Sequence, residues 1–465
     1  EYDLDILISG KDLKDAQFNQ QTIKSYWKKT NDGLTKLMIE KTKGIHHLAF
    51  LSALPMCMNE EYFYNIGGKF RTLFSTQAAQ LFPLEADSKG DGSNLLLTTR
   101  RGVLAGIDLY SSNTNFNAFL VATSGAGKSV FLNMIGFNTY ARGDKLFVLD
   151  YDNSFTGLME NINGQYLNLD PSVRAISFNP FSGIKTILEL RDELPYLSSF
   201  IYLLGSSKSI SRAEEDEKLI TNTLQQVIKD QFDLFKNKLE ITNIRDALYK
   251  EHGEEDRRFS DFARQLDIYC KGGIYEEWFS GECEFSMEKD AMAVEFKGVE
   301  NHPELRDPLV MLLLYHIGKV MYSTDANKPR IQIIFDEAHR FLGKNPRMDD
   351  FIEQAYRRAR KFDGSIILAT QGFSDIYDSE GGLSRAGKTI IDNSAWKFFM
   401  NQQETSTNLL LSSGIFSFDD IDKKIIRKIR TQKREYSEIF CINSSNVKMS
   451  LRLLMPTFFY YLTTT

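Results

Sequence analysis

The sequence predicts an α/β fold, a mostly parallel sheet wrapped by helices and interrupted by an all-helical insertion. Three observations predict it. The stretch "NAFLVATSGAGKSVFLNMIGFNTYARGDKLFVLDYD" (117–152) reads as strand, glycine turn, helix and strand, the βαβ order of a parallel sheet. "IQIIF" (331–335) is a continuous apolar run, as a central strand buried on both faces requires. Between about 185 and 290 the apolar residues fall instead at helical spacing.

Taken in order, residues 1–94 read as mixed α/β. "DLDILISG" (3–10) is strand-like, a polar helix is expected through "QFNQQTIKSYWKK" (17–29), and a second spans 60–82. The Gly- and Asp-containing "ADSKGDGSN" (86–94) is the best domain boundary. Two short strands, "LLLTTR" and "VLAGIDL", lead into the βαβ unit. The helical insertion comprises "TILELRDELPYLSSFIYLL", "AEEDEKLITNTLQQVIKDQFDLF" and "ITNIRDALYKEHG". Sheet character returns at "AMAVEFKGV", "IQIIFDEA", "SIILATQ" and "AWKFFMNQ". The basic stretch "DDIDKKIIRKIRTQKREY" (419–436) reads as a helix with a solvated face.

Composition sets the outer bounds. The 465 residues are 42% hydrophobic, 12% aromatic and 25% charged, a globular composition with room for two or three domains. A formal net charge of −6 gives no global case for nucleic acid, so any such surface is local. Cys57, Cys270, Cys283 and Cys441 form no CxxC pair, which fits a reduced compartment and no zinc site. The most apolar run, "LVMLLLYHIGKVMY" (309–322), is short for a membrane span and carries His316 and Lys319. It is expected as a buried helix, leaving any membrane association peripheral. The chain opens Glu1-Tyr2-Asp3 without a signal pattern and is expected to be a piece of a longer protein.

The chemistry concentrates in two motifs. "ATSGAGKS" (122–129) lies between strand and helix, the setting of a phosphate-binding loop. Gly125 and Gly127 let successive backbone N–H groups face phosphate oxygens, and the helix start adds its positive end. Thr123, Ser124, Gly125, Ala126, Gly127, Lys128 and Ser129 are therefore the expected ATP-binding residues. Lys128 would reach the β/γ-phosphates, and the Ser129 hydroxyl would ligate Mg²⁺. Ala122 stands where the motif's first glycine is usual, a small residue that the turn tolerates. At the end of "IQIIF", Asp336 and Glu337 emerge where open parallel sheets place their ligands. With a phosphate loop upstream, Asp336 is the expected Mg²⁺ ligand and Glu337 the group that polarises the attacking water. The alternative is a pair of acids capping the next helix.

Read literally, Asp336-Glu337-Ala338-His339 spells a DEAH helicase box. The box lies too far beyond Lys128, its next strand ends in Ala369-Thr370-Gln371, and no second motor domain is evident in these residues. The helicase reading fails, and His339 is left as a helix residue beside the site.

"ATSGAGKS", "IIFDEAHRFL" and "RRARKFDGSIILATQGFSDI", in that order around a helical insertion, resemble the motor of the TraC-like ATPases of bacterial type IV secretion systems. Upstream, "YWKKTNDGLTKLMIEKTKGIHHLAFLSALPM" and "TQAAQLFPL" resemble the end of that family's N-terminal domain. The resemblance implies a RecA-like P-loop NTPase domain over 95–465, preceded by the end of an N-terminal domain over 1–94. It also implies a homo-hexamer at the cytoplasmic base of a secretion channel, peripheral to the inner membrane, with other secretion-system components as partners. Hydrolysis of ATP with Mg²⁺ would energise secretion, conjugative transfer or pilus assembly. Gln371 matches the polar sensor at the next strand end. Arg360, eleven positions before it in "YRRARKF", matches the arginine that related rings insert into the neighbouring subunit's site; Arg357 and Arg358 are alternatives. A DNA-pumping translocase and a nucleotide-switched structural subunit remain the rival readings.

Overall fold

The computed structural model describes residues 11–30 and 87–463, except 173–175, 207–213, 254–255, 286, 322–327, 343–345 and 379–380. The chain divides into two compact units, Glu1–Ala86 and Asp87–Thr465. In the first, helix α1 (Leu13–Thr30) covers the expected polar helix. Asp12 starts it by accepting the Asp15 amide at 2.8 Å. The strand expected at 3–10, the helix expected at 60–82, and most of the stretches resembling an N-terminal domain lie outside the described residues.

The second unit is built on one sheet of twelve described strands. In chain order these are β1 (Leu95–Thr99), β2 (Leu104–Ile107), β3 (Ala118–Val121), β4 (Lys145–Asp150), β5 (Gln165–Asn168) and β6 (Ala291–Glu295). There follow β7 (Ile331–Phe335), β8 (Ser365–Thr370), β9 (Trp396–Phe399), β10 (Thr431–Gln432), β11 (Tyr436–Ile442) and β12 (Lys448–Leu454). The spatial order is β2-β1-β12-β11-β9-β3-β8-β7-β4-β6-β5, with β10 pairing β11. From β9 through β5 all neighbours are parallel. From β9 toward β2 every pairing is antiparallel. Burial follows this division: β3, β7 and β8 are buried throughout, whereas β12 alternates between buried and more exposed positions.

Helices cover both faces. Their ranges are α2 (Lys128–Ala141), α3 (Thr156–Asn161), α4 (Ile187–Leu204), α5 (Glu214–Phe235), α6 (Ile241–Ala247), α7 (Arg257–Leu266) and α8 (Glu276–Phe279). The remainder are α9 (Pro303–Met321), α10 (Pro346–Ala359), α11 (Arg385–Asp392), α12 (Glu404–Ser412), α13 (Asp420–Arg427) and α14 (Thr457–Thr463). Alternate residues of β3 and β4 separate two cores. Phe119, Val121, Phe147 and Leu149 pack with α4, α5, α7, α8 and α9, while Ala118, Leu120, Leu146 and Val148 pack with Phe131, Leu132 and Ile135 of α2. The helices between β5 and β6 thus form a layer whose core is continuous with one face of the sheet.

The described part of the apolar run, residues 309–321, falls in α9 and is mostly buried, with Lys319 exposed. Among the described residues no helix is long and apolar enough to cross a membrane. The three described cysteines, Cys270, Cys283 and Cys441, are free. The helix expected over 419–436 is corrected: α13 ends at Arg427, and a hairpin of β10 and β11 follows, with Arg434 at φ 68° in its turn. Helical spacing continues through Ile425, Ile426 and Ile429, but the ladder that β11 forms with β9 and β12 overrides it.

Candidate active site

The glycine loop leaves β3 at Val121 and enters α2 at Lys128. Ala122 N donates to Thr370 O (3.0 Å) and Thr123 N to Asn401 O (2.9 Å), so strands on both sides of β3 hold the loop's first residues. Gly125 (φ 77°) and Gly127 (φ 95°) occupy left-handed conformations. At Gly127 an added Cβ would lie 2.4 Å from Ser437 Oγ, so β11 presses directly on the loop. Thr431 of β10 donates its hydroxyl to Ala126 O at 2.9 Å. The first helical bond of α2 runs from Phe131 N to Gly127 O, leaving the amides of Lys128, Ser129 and Val130 unused by the helix ladder. This is the cradle a polyphosphate needs.

Lys128 is buried, with Nζ 2.7 Å from Asp336 Oδ1 and paired also with Glu337 Oε1. Burial opposes its charge, yet the two carboxylates outweigh burial and hold its pKa above the usual lysine value. Burial pushes the Asp336 carboxyl above its ordinary range, with Lys128 pulling against the shift. Asp336 N donates to Leu149 O (2.9 Å), tying the end of β7 to β4. Glu337 lies in the left-handed region (φ 55°, ψ 44°), a strained conformation for a non-glycine residue, and is 2% exposed. It precedes the 3₁₀ turn Ala338–Arg340 without a side-chain cap to it, and its own amide donates to Asp336 Oδ1 at 3.0 Å. His339 sits in that turn, not in an α-helix.

Two further strand-end acids were missed in the sequence. Asp150 ends β4 and Glu295 ends the adjacent β6, as register partners, and both are buried. Burial, then Glu295 and Asp336, push the Asp150 carboxyl up to about 7. Asp150 accepts the amides of Tyr151 (2.9 Å) and Phe155 (3.1 Å), and Glu295 those of Asn153 and Lys297 (2.7 Å each). They fix the loop after β4, whose Ser154 hydroxyl reaches Ser129 Oγ at 3.3 Å. Acids closing "KLFVLD" and "AMAVE" were the available signal.

Gln371 directly follows β8 and is exposed; the Ala122–Thr370 bond seats it beside the start of the loop. Arg360 is not brought to this chain's own loop. It lies exposed in the turn Arg360–Phe362, which enters β8 from the opposite end, roughly 20 Å away at ~3.3 Å per strand residue. Arg357 pairs with Glu353 at 2.5 Å. Among the described residues no cluster of three or more His, Cys, Asp or Glu is arranged for a metal. The Ser129 hydroxyl and the Asp336 carboxylate are nonetheless hard oxygen donors beside the cradle. Such a pair suits Mg²⁺, whose remaining ligands come from phosphates and water.

A parallel sheet carrying a glycine loop at one strand end and a lysine-bridged acidic pair at another defines a P-loop NTPase domain. The chain belongs to the TraG P-loop domain family, whose model matches residues 109–465. It is similar to protein TraC of Escherichia coli (strain K12), 29% identical over 421 residues. That match covers 86% of this chain but 46% of TraC, so the chain spans about half the length of this relative. VirB4 of Thermoanaerobacter pseudethanolicus has a similar fold, with a TM-score of 0.63 and 16% identity over 80% of this chain and all of that structure.

Proposed function

We propose that the chain is the motor part of a type IV secretion ATPase, hydrolysing ATP to drive secretion, conjugative DNA transfer or pilus assembly. The observation that carries it is the buried Lys128–Asp336–Glu337 cluster beside the glycine cradle. Residues 123–129 hold the phosphates, and Lys128 leaves the acids to meet the β- and γ-phosphate charge. Ser129 and Asp336 would hold Mg²⁺, which when bound would neutralise phosphate charge. Glu337, released from Lys128, takes a proton from the attacking water as it adds to the γ-phosphorus, while the bond from that phosphorus to the β,γ-bridging oxygen breaks and ADP leaves. Gln371 orients that water, and Arg360 of a neighbouring copy stabilises the leaving-group charge. The motor works as a homo-hexamer at the cytoplasmic face of the bacterial inner membrane, peripherally attached, with other secretion-system subunits as partners. Its motor domain begins within 87–95 and runs to 465, and the residues before it are the end of a preceding domain.

The test is ATP turnover with Mg²⁺, alongside nucleotide affinity, for the chain and for Glu337→Gln. The chain should hydrolyse ATP. Glu337→Gln should bind nucleotide about as tightly while turnover is nearly abolished, since only the water-polarising carboxylate changes. Near-normal turnover by this variant would remove Glu337 from the reaction.

A further inference from the structure

We propose that His339 is a positioning residue for hydrolysis. It holds the Glu337 carboxylate once Lys128 has turned to the phosphates, and it ties that carboxylate to the loop that carries Gln371. The proposal rests on the ATPase reading above.

Glu337 presents its two oxygens to different partners. Oε1 pairs with Lys128, whereas Oε2 is buried without a hydrogen bond and faces His339 Nδ1 at 3.2 Å. A buried carboxylate oxygen without a donor is costly, and the nearest ring N–H is the remedy at hand. The tight turn Ala338–Arg340 and the left-handed Glu337 backbone bring the ring back over its own neighbour. The same nitrogen lies 3.9 Å from Asp375 Oδ2. That oxygen accepts the Gly372 amide at 2.9 Å and the Thr370 hydroxyl, so it braces the turn on either side of Gln371.

One imidazole therefore stands between the end of β7, with the water-polarising acid, and the end of β8, with the water-orienting amide. While Lys128 is paired with Glu337, the acid is anchored without help. When phosphates draw Lys128 away, Nδ1–H is the remaining donor facing this carboxylate among the described contacts. A ring whose Nδ1 faces Glu337 at 3.2 Å, with Asp375 of the turn after β8 at 3.9 Å, can set the distance between Glu337 and Gln371 once its N–H engages the carboxylate, and in-line attack depends on that distance.

The experiment measures kcat, KM and Mg-ATP affinity of the full chain, wild type against His339→Ala, His339→Asn, Asp375→Asn and the His339→Ala/Asp375→Asn pair. Loss of a group that orients a reacting side chain typically costs about 10–100-fold. His339→Ala should lower kcat by that factor, with KM and affinity within about twofold and melting temperature little changed. His339→Asn, whose amide N–H replaces Nδ1–H, should recover part of the loss. The double variant should cost less than the product of its single effects. Unchanged kcat in His339→Ala, or kcat and affinity falling together without rescue by Asn, overturns the proposal. A wild-type chain that binds ATP without turning it over overturns instead the ATPase reading beneath it.

Discussion

Lys128 Nζ lies 2.7 Å from Asp336 Oδ1, so the cation proposed to meet phosphate is also what permits two carboxylates to be buried together. Lys128→Ala should have two consequences. Nucleotide affinity should collapse, because the charge facing the β/γ-phosphates is gone. The protein without nucleotide should also melt lower, because breaking a buried ion cluster typically costs about 3–5 kcal/mol. Calorimetry and a nucleotide titration read the two separately. A variant that melts as the wild type does would mean that the acids are stable without the lysine.

The second prediction concerns Asp150. Its carboxyl titrates at about 7 in the fold against 3.8 ordinarily, burial being the main cause and Glu295 and Asp336 adding to it. The folded chain thus keeps a proton that the unfolded chain releases. The stability from this group is full below about 4 and is lost as the pH rises through about 7, at roughly 1.4 kcal/mol per unit within that window. Asp150→Asn should flatten the fall in melting temperature between pH 5 and pH 7. The variant should melt furthest below the wild type at pH 5, because its amide offers one acceptor oxygen where the carboxyl group serves both Tyr151 and Phe155, and the gap should narrow toward pH 7 as the wild-type carboxyl ionises. An undiminished pH dependence would place the responsible group elsewhere.

Much of the fold was legible because parallel strands are buried on both faces and read as apolar runs: "FLV", "KLFVL", "IQIIF" and "SIILA" all became central strands. The glycine loop and the acidic pair were legible because their chemistry needs particular residues at a strand end. The closing antiparallel strands were not. β12 alternates "KMSLRLL" with basic residues on its outer face, and β11 follows a basic turn that continued a helical pattern. Asp150 and Glu295 were passed over for a related reason. An acid at the end of a strand resembles any loop residue until the topology sets β6, β4 and β7 side by side.

The helical layer between β5 and β6 carries the third prediction. Phe200 of α4 is fully buried and packs near Phe279 of α8 over the sheet's own core. Phe200→Ala should cost about 3–5 kcal/mol, as large-to-small changes in packed cores do. Below its lowered melting temperature the variant should bind Mg-ATP as the wild type does, since the residue touches no part of the loop. A deletion of 187–279 should fail to fold, because it strips the cover from Met292, Val294 and Phe296. A folded, monomeric deletion product would show the layer to be an independent module.

The last prediction follows from the position of Arg360. It lies at the end of β8 remote from the glycine loop, exposed, roughly 20 Å from the site that its own chain forms. A guanidinium there serves transition-state charge only in the site of another copy. An arginine supplied in this way is typically worth about 10³–10⁵ in rate, so activity per chain should be low in dilute monomer and rise as rings assemble. Arg360→Ala and Glu337→Gln should each be nearly inactive alone. Mixed in one ring, they create interfaces in which an intact Glu337 meets an intact Arg360, and part of the activity should return. Recovery in proportion to the number of such interfaces would establish the trans contact. No recovery in rings shown to contain both chains would shift the role to Arg357 or Arg358, and a fully active monomer would end the trans mechanism.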